Sequence, residues 1–189
     1  MKVADMATGE RILAAAAEMT TEVGWSSVTM AAVAERVGVS RQTVYNEWGS
    51  RDRLAEAMVL RELGAFLDEV DAGFDAHPDD LEVGVADAIA RVLDLARINP
   101  LLRAIVTATH GAETELVPLL TTRADVVIAV ASERVRDRLM PYPGVDAAAL
   151  DAIVDLLVRT VLSHVMQPSA NASAVPGALA GAVARLLRE

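Results

Sequence analysis

Residues 28–51 constrain the fold most, because their cap and turn residues specify two short helices joined by a tight turn. Thr29 is a suitable N-cap for the first helix, because the hydroxyl of threonine can accept a hydrogen bond from a backbone amide of the first turn. The apolar residues of that helix recur at helical spacing: Met30, Val33 and Val37. Gly38 predicts the end of this helix, since glycine accepts the positive φ of a helix terminus. Ser40 predicts a second cap, so the second helix begins at Arg41.

The second helix has an apolar inner side and a polar outer side. Val44 and Trp48 lie four residues apart and are predicted to point inward. The outward residues are Arg41, Gln42, Thr43, Tyr45, Asn46 and Glu47. Arginine can donate two hydrogen bonds to guanine, glutamine and asparagine can form hydrogen bonds with adenine, and threonine can contact thymine or phosphate. An ordinary helical hairpin with a solvated face is the alternative, but the order of caps, turn and polar face favours a DNA-binding helix-turn-helix.

Residues 8 to 53 resemble the N-terminal DNA-binding domain of the TetR family of bacterial transcriptional regulators. The run from Thr43 to Arg51, TVYNEWGSR, carries this resemblance. A helix precedes the helix-turn-helix in that family, and an apolar stripe predicts it here: Ile12, Ala16, Met19 and Val23. Trp48 supplies the aromatic residue that the family has before the glycine of this run. Arg51 replaces the lysine usual at the start of the fourth helix.

The resemblance implies a division of labour among the DNA contacts. Phosphate binding is expected from Thr29 and Tyr45, and from Arg51 together with the amide end of its helix. The predicted DNA-binding set is Thr29, Ser40, Arg41, Gln42, Thr43, Tyr45, Asn46 and Arg51, of which Arg41, Gln42, Thr43 and Asn46 are the expected base contacts. Glu47 departs from the pattern, since it would repel phosphates unless it pairs with cytosine N4 or a neighbouring arginine, and its role is left open.

Composition predicts an all-α protein. Of 189 residues, 53% are hydrophobic and only 3% aromatic, with few alternating runs of the kind that predict strands. Prolines, glycines and caps divide the chain beyond the helix-turn-helix into helices near 50–76, 79–98, 100–110, 113–140, 146–166 and 175–187, about nine helices in all. We predict a three-helix DNA-binding domain over residues 1–53 and a larger helical domain over 54–189, which the resemblance implies is the effector-binding and dimerisation domain.

Charge is distributed unevenly along the chain. Residues 1–53 hold seven acidic and six basic side chains, net −1, and the remainder holds 20 acidic and 11 basic, net −9, which together give −10. The acidic excess is therefore predicted to lie mainly away from DNA, and screening over about 10 Å makes local arginines matter more than the total. Cysteine is absent, which excludes disulfides and thiolate metal sites.

The chain is expected to be cytoplasmic, without a membrane partner. Asp5 and Glu10 interrupt the N-terminus before an apolar signal core forms. A run of 25 residues from Thr160 to Ala184 lacks Asp, Glu, Lys and Arg, but polar residues and two prolines interrupt it. It therefore predicts two soluble helices joined by a loop.

The last two predicted helices are apolar on more than one face. A second copy of the chain would cover the surplus, and the resemblance implies a four-helix bundle in a homodimer. The predicted interface residues are Leu150, Ile153, Val154, Leu157, Val161, Leu179, Ala182, Val183 and Leu186. The alternative is that the rest of the domain wraps both helices.

The resemblance places a small-molecule effector site among the helices between the DNA-binding domain and the C-terminus. The residues predicted to line it are Asn99, Leu102, Arg103, Val106, Thr107 and His110. Low aromatic content favours an aliphatic or compact effector. No His pair has helical zinc-ligand spacing, and no phosphate loop or nucleophile elbow occurs, so an enzyme, a metal site and a cofactor are not expected.

The sequence thus predicts a cytoplasmic, homodimeric regulator of transcription that binds a roughly palindromic DNA operator, and the resemblance implies that it responds to a ligand and is a repressor, as is usual in the family, and not an activator. The alternative is a helix-turn-helix protein that binds DNA without a small-molecule effector. A ligand-sized cavity in the helical C-terminal region would separate the two possibilities.

Overall fold

The computed structural model describes residues 8–107, 116–120, 124–145 and 147–188. Every regular element in these ranges is helical, so the fold is all-α, as the sequence predicts. The described ranges hold nine α-helices of eight or more residues and one of four residues: α1 Thr8–Val23, α2 Met30–Val37, α3 Arg41–Trp48, α4 Arg51–Ala76, α5 Leu81–Ile98, α6 Pro100–Thr107, α7 Val117–Leu120, α8 Asp125–Leu139, α9 Ala147–Met166 and α10 Val175–Leu186. Short 3-10 turns lie at Trp25–Ser27 and Ala172–Ala174.

The chain packs as two compact units. Unit 1 comprises Met1–Glu62 and Asn99–Thr122, and unit 2 comprises Leu63–Ile98 and Arg123–Glu189. The division falls inside α4, between Glu62 and Leu63. The predicted boundary after residue 53 concerns which residues bind DNA and which bind an effector, and it stays a prediction.

Unit 1 is built on α1, which packs against α2, α3 and α6. Ile12 and Ala16 are fully buried and Met19 is nearly so, which confirms three positions of the predicted stripe. The fourth position is wrong, because Val23 is 57% exposed. Val23 is the last residue of α1, and the chain leaves the helix at Gly24, whose φ is 80°.

Helix α6 packs against α1 in unit 1, and Asn99 fixes its start. The Leu102 amide donates to Oδ1 of Asn99 at 2.8 Å, which caps the helix. The Asn99 amide group donates in turn to the Glu62 carboxylate on α4. Asn99 is only 5% exposed, so burial of this polar side chain is compensated by bonds at both ends.

Unit 2 is a bundle of longer helices around an apolar core. Helix α5 packs against α9 and α10, and α8 packs against α9. Leu139, Leu150 and Leu187 contribute fully buried side chains from three different segments. Each such leucine removed from water stabilises the unit by roughly 1.5–3 kcal/mol before the entropy of ordering is counted.

Helices α4 and α5 approach closely at Gly73. A Cβ added there would lie 2.4 Å from the backbone nitrogen of Ala88, closer than atoms can pack. Only glycine therefore fits this crossing without moving one helix.

Charged and aromatic side chains connect α8 and the following turn to the C-terminal half of α4. Arg134 pairs with Asp71 and Arg138 with Asp75. The Tyr142 hydroxyl donates to the His77 carbonyl at 2.7 Å. Burial raises the pKa of this phenol above its ordinary value, so it remains a donor further into the alkaline range.

The predicted helices agree with the structure except in one region. The sequence predicted one helix over 113–140, bent at Pro118, whereas the structure has separate helices at Val117–Leu120 and Asp125–Leu139. Pro118 explains the start of α7, because proline is accommodated in a first turn but clashes with the preceding turn inside a helix. Within the described ranges, no helix is long and apolar enough to cross a membrane.

Candidate DNA-binding surface

The helix-turn-helix forms through local hydrogen bonds at the predicted caps. The Ala32 amide donates to Oγ1 of Thr29 at 3.1 Å and the Thr43 amide to Oγ of Ser40 at 3.0 Å, so both predicted N-caps are present. Gly38 ends α2 in the left-handed region, at φ 76° and ψ 36°, and its amide bonds the Ala34 carbonyl at 3.0 Å. These contacts set the turn between α2 and α3.

Helix α3 presents the predicted polar face outward. Val44 is fully buried and Trp48 half-buried, which anchors the inner side. The exposed side chains are Arg41, Gln42, Tyr45, Asn46 and Glu47. Four predicted DNA contacts, Arg41, Gln42, Tyr45 and Asn46, therefore share one accessible helix surface, and Tyr45 is 42% exposed although it is large and aromatic.

Hydrogen bonds between side chains order part of this surface. Nε2 of Gln42 donates to Oδ1 of Asn46 at 2.8 Å, which is the spacing of one helical turn. The hydroxyls of Ser40 and Thr43 lie 2.8 Å apart, and Thr43 is half-buried. The Gln42–Asn46 bond does not use the Asn46 amide NH₂ or the Gln42 carbonyl oxygen, a donor and an acceptor that can pair with the adenine edge.

Glu47 lies beside α1. A Cβ built on Gly9 would be 3.2 Å from Oε2 of Glu47 and 3.6 Å from the Trp48 ring. Gly9 is in the first turn of α1, where the positive end of the helix favours a carboxylate. The start of α1 is therefore a further neighbour of the Glu47 carboxylate, in addition to the cytosine and the arginine that the sequence analysis considers.

Arg51 makes its contacts within unit 1. Its Nε donates to the Val28 carbonyl at 2.7 Å and its Nη2 to the Trp25 carbonyl at 2.5 Å. The guanidinium carbon lies 4.6 Å from the centre of the Trp25 ring. The sequence predicted a phosphate contact at Arg51 and did not consider Trp25, which precedes the helix-turn-helix and lies 26 positions from Arg51, so no local pattern pointed to it.

Further polar contacts tie α1 to its neighbours. Nη2 of Arg11 donates to the Val37 carbonyl at the end of α2, at 2.8 Å. Arg36 pairs with Glu22 at 2.7 Å, and this hydrogen bond and charge hold the pKa of Glu22 below its ordinary value. These contacts orient the helix that supports the helix-turn-helix.

The residues predicted to line an effector site fall into three groups. Asn99 caps α6, and Leu102 is 7% exposed in the packing of unit 1. Arg103 is exposed and Val106 half-buried on the same helix, and Thr107 ends it. His110 lies outside the described residues.

A small apolar hollow occurs in unit 2, and none of the residues that line it was predicted to bind the effector. Residues near the ends of α5 and α9 and the start of α10 line it: Leu93, Ala96, Arg97, His164, Val165, Pro168, Ser169, Ala172 and Val175. Its volume is about 50 Å³, whereas drug-sized ligands occupy roughly 300–1,000 Å³. Among the residues that the structure describes, no cluster of His, Asp and Glu could hold a metal ion.

The predicted dimer-interface residues differ in accessibility. Five lie in the core of unit 2: Leu150, Ile153, Val154, Leu157 and Val183. Val161, Leu179 and Ala182 are half-buried, and Leu186 is 44% exposed. The most exposed leucine of α9 is Leu156, at 59%. The sequence analysis did not select Leu156, because helical periodicity does not show which apolar face of α9 is buried within its own chain.

Comparisons with known proteins cover both units. The family model for bacterial regulatory proteins of the tetR family matches residues 12–58, and the model for the bacterial tetracyclin repressor C-terminal domain matches residues 80–185. The HTH-type transcriptional regulator AlkX of Mycobacterium tuberculosis is 30% identical over 163 residues, which are 84% of this chain and 75% of that protein.

Two solved structures of TetR family repressors are also similar to this chain. The TetR family repressor AlkX from Dietzia sp., implicated in biodegradation of n-alkanes, has a TM-score of 0.78 and 26% identity, with 96% of each chain covered. The R. erythropolis repressor QsdR shares the fold, with a TM-score of 0.62 and 17% identity over 95% of this chain and 94% of that one. These relatives are regulators and not enzymes. With family models matched over both the helix-turn-helix and most of the remaining chain, the protein belongs to the TetR family of bacterial transcriptional regulators.

Proposed function

We propose that this regulator is a repressor that binds a roughly palindromic operator as a homodimer and responds to a small molecule. The observation that carries the proposal is the outer face of α3, where Arg41, Gln42, Tyr45 and Asn46 are exposed together on a helix anchored by buried Val44. Such a face matches the chemistry of base edges and phosphates in the major groove.

The DNA interface follows from the exposed groups. We assign base contacts to Arg41, Gln42 and Asn46, and phosphate contacts to Tyr45 and Thr29. Thr43 and Ser40 also remain proposed DNA contacts. The Ser40 hydroxyl caps α3 and lies next to the Thr43 hydroxyl, so each would contact DNA in addition to these bonds. The negative total charge of the chain argues for weak non-specific binding and for dependence on two half-sites.

Exposed residues of the last two long helices support the homodimer. Leu156 on α9 and Leu186 on α10 are large apolar side chains at 59% and 44% exposure. On α9, Ala152, Arg159 and Ser163 are exposed on the face of Leu156; Arg159 pairs with Asp155 of the same helix, and the small Ala152 and Ser163 leave room on either side for a second copy. The proposed interface therefore centres on Leu156 and Leu186, with half-buried Val161, Leu179 and Ala182 at its edge.

An aliphatic effector suits this chain. The Dietzia relative is implicated in biodegradation of n-alkanes, and only 3% of this chain is aromatic, which offers few rings for stacking a flat ligand. For its site we keep Arg103, Val106 and Thr107 on α6, while Asn99 and Leu102 are assigned to packing. Addition of dodecane or dodecanoate should raise the melting temperature of the protein and change operator affinity. Binding to DNA that neither compound changes would favour the alternative of a regulator without such an effector.

Selection of genomic DNA fragments by the purified protein tests the function directly. We expect enrichment of a site with two-fold symmetry, whose half-sites lie about 34 Å or a multiple of that apart. A salt titration of the best fragment against a scrambled one should show a specific complex that survives higher salt. Sedimentation velocity should give a dimer. Absence of enrichment at low salt by a folded dimer would contradict the proposal.

A further inference from the structure

We propose that Arg51 is a positioning residue for DNA binding and not a phosphate contact. Its contacts with Trp25 and Val28, here named the Arg51 clamp, hold the segment that leads into α2 and so place the N-terminal end of α2 against DNA. This inference rests on the proposed function, and it assigns Arg51 a different role from the phosphate contact that its position in the motif implies.

The Arg51 clamp acts at one point of the chain. Its two acceptors are the carbonyls of Val28 and Trp25, and Val28 directly precedes Thr29, the N-cap of α2. The Trp25 carbonyl also accepts the Val28 amide at 2.9 Å in the 3-10 turn. Trp25 is 6% exposed and Val28 fully buried, so the segment has a fixed inner side. The two hydrogen bonds of the Arg51 clamp fix the backbone of the same segment, and the residue that follows it is Thr29, the N-cap of α2.

The geometry requires arginine. A planar guanidinium can donate to two carbonyls while its face lies on an indole ring, whereas the ammonium of lysine has donors but no planar face, so it cannot make all three contacts in the same arrangement. Turning Arg51 toward a phosphate would break both hydrogen bonds and the stacking at 4.6 Å. The clamp also offsets an unfavourable position, because Arg51 lies in the first turn of α4, where the positive helix end repels a cation.

Arg53 provides a matched comparison in the same helical turn. Its backbone amide donates to Oγ of Ser50 at 3.2 Å, and its side chain is exposed. In the parts of the chain that the structure describes, its guanidinium forms no ion pair. Arg53→Gln therefore removes one positive charge from the start of α4 and leaves the clamp intact.

The test measures the dissociation constant of the best selected duplex over a range of salt concentrations for Arg51→Lys, Arg51→Gln and Arg53→Gln. A lost phosphate contact lowers the slope of log affinity against log salt by about 0.9. We expect Arg51→Lys to weaken binding about tenfold at every salt concentration, as the loss of one hydrogen bond to a charged group would, with the slope unchanged. Arg53→Gln shows how far one charge at this turn alters the slope.

Two results would overturn the proposal. If Arg51→Lys binds like the original protein and Arg51→Gln flattens the slope by about 0.9, Arg51 contacts phosphate. If Arg51→Lys lowers only the melting temperature, and the dissociation constant of the folded fraction is unchanged, the clamp is purely structural.

Fluorescence separates failure of the clamp from failure of the proposed function. In a Trp48→Phe background Trp25 is the only tryptophan, so its emission reports the clamp without DNA. Arg51→Lys should shift this emission to longer wavelength, and an unchanged spectrum would contradict the clamp. If no duplex binds the original protein at all, the proposed function fails, whereas the emission still shows whether the clamp exists.

Discussion

Units 1 and 2 are stabilised in different ways. In unit 1, α2, α3 and α6 are eight residues long, and a side chain caps each one: Thr29, Ser40 and Asn99. In unit 2, α5, α8, α9 and α10 are 12 to 20 residues long; Asp80 caps α5, but the N-caps of α8 and α10 make no side-chain hydrogen bond. Short helices are marginal alone and need polar contacts at their ends, whereas long amphipathic helices are stabilised by the core that they share.

This difference predicts where each unit is sensitive to substitution. Changes in the core or at close helix crossings should dominate the stability of unit 2. Changes at the helix caps and at the Arg51 clamp of unit 1 should lower the free energy of unfolding by less. They should nevertheless alter DNA binding, because they move the surface that contacts DNA.

The largest effect is expected at the core of unit 2, from Leu157→Glu. Leu157 is 6% exposed, so the substitution removes packed methyl groups and buries a carboxylate, at a cost of about 3–5 kcal/mol. Urea unfolding monitored by circular dichroism measures the change.

Leu156→Glu is the matched control on the next residue, because Leu156 is 59% exposed. It should change the stability of the unassociated chain by less than about 0.5 kcal/mol, yet weaken the dimer in sedimentation velocity. A stable, monomeric Leu157→Glu protein would instead place the interface on the face of α9 that we assign to the core.

The next effect is expected at the α4–α5 crossing, from Gly73→Ala. The added methyl would meet the backbone of Ala88 at 2.4 Å, and overpacking of this kind costs about 1–3 kcal/mol. Gly64→Ala on the same helix has no neighbour within 4 Å and should be neutral or stabilising by up to about 1 kcal/mol, as helix propensity predicts. Equal melting temperatures for both variants would mean that the two helices are not in contact at Gly73.

A smaller effect is expected at the start of α3, from Ser40→Ala. Loss of the cap to the Thr43 amide should cost about 1 kcal/mol and raise the dissociation constant for the operator. Ser40→Thr keeps a hydroxyl and should restore most of both quantities. A Ser40→Ala protein with normal stability and affinity would show that unit 1 does not depend on its caps.

The smallest effect is expected at the exposed Arg36–Glu22 pair. Because Arg36 lowers the pKa of Glu22, this pair stabilises the fold above the ordinary carboxyl pKa, and the contribution is lost as pH falls through the lowered value. Arg36→Gln should move the pKa of Glu22 upward in an NMR titration, while Arg53→Gln should leave it unchanged. No movement in Arg36→Gln would mean that the pair does not form in solution.

Sequence patterns predicted unit 1 more completely than unit 2 for a physical reason. The caps at Thr29 and Ser40 and the turn at Gly38 bond residues three or four positions away, so the local sequence contains both partners. The Arg51 clamp joins residues 23 and 26 positions apart, and the pattern did not show it. The role of Glu47 was open for the same reason, since its neighbour Gly9 belongs to another helix.

In unit 2 the sequence predicted the helices but not how their faces are used. Apolar residues recur around α9, and periodicity could not distinguish buried Leu157 from exposed Leu156. Pro118 was expected to bend one long helix, whereas it lies in the first turn of α7 and a separate helix, α8, begins at Asp125, because the sequence shows where a helix is weakened but not how packing divides it.

Selection of randomised duplexes by the original protein, Arg41→Ala and Tyr45→Phe tests the central claim, that the outer face of α3 binds an operator. We predict a symmetric site for the original protein, an altered base preference within each half-site for Arg41→Ala, and the original preference at lower affinity for Tyr45→Phe. No preferred site for the original protein, or the same change of preference in both variants, would contradict the account.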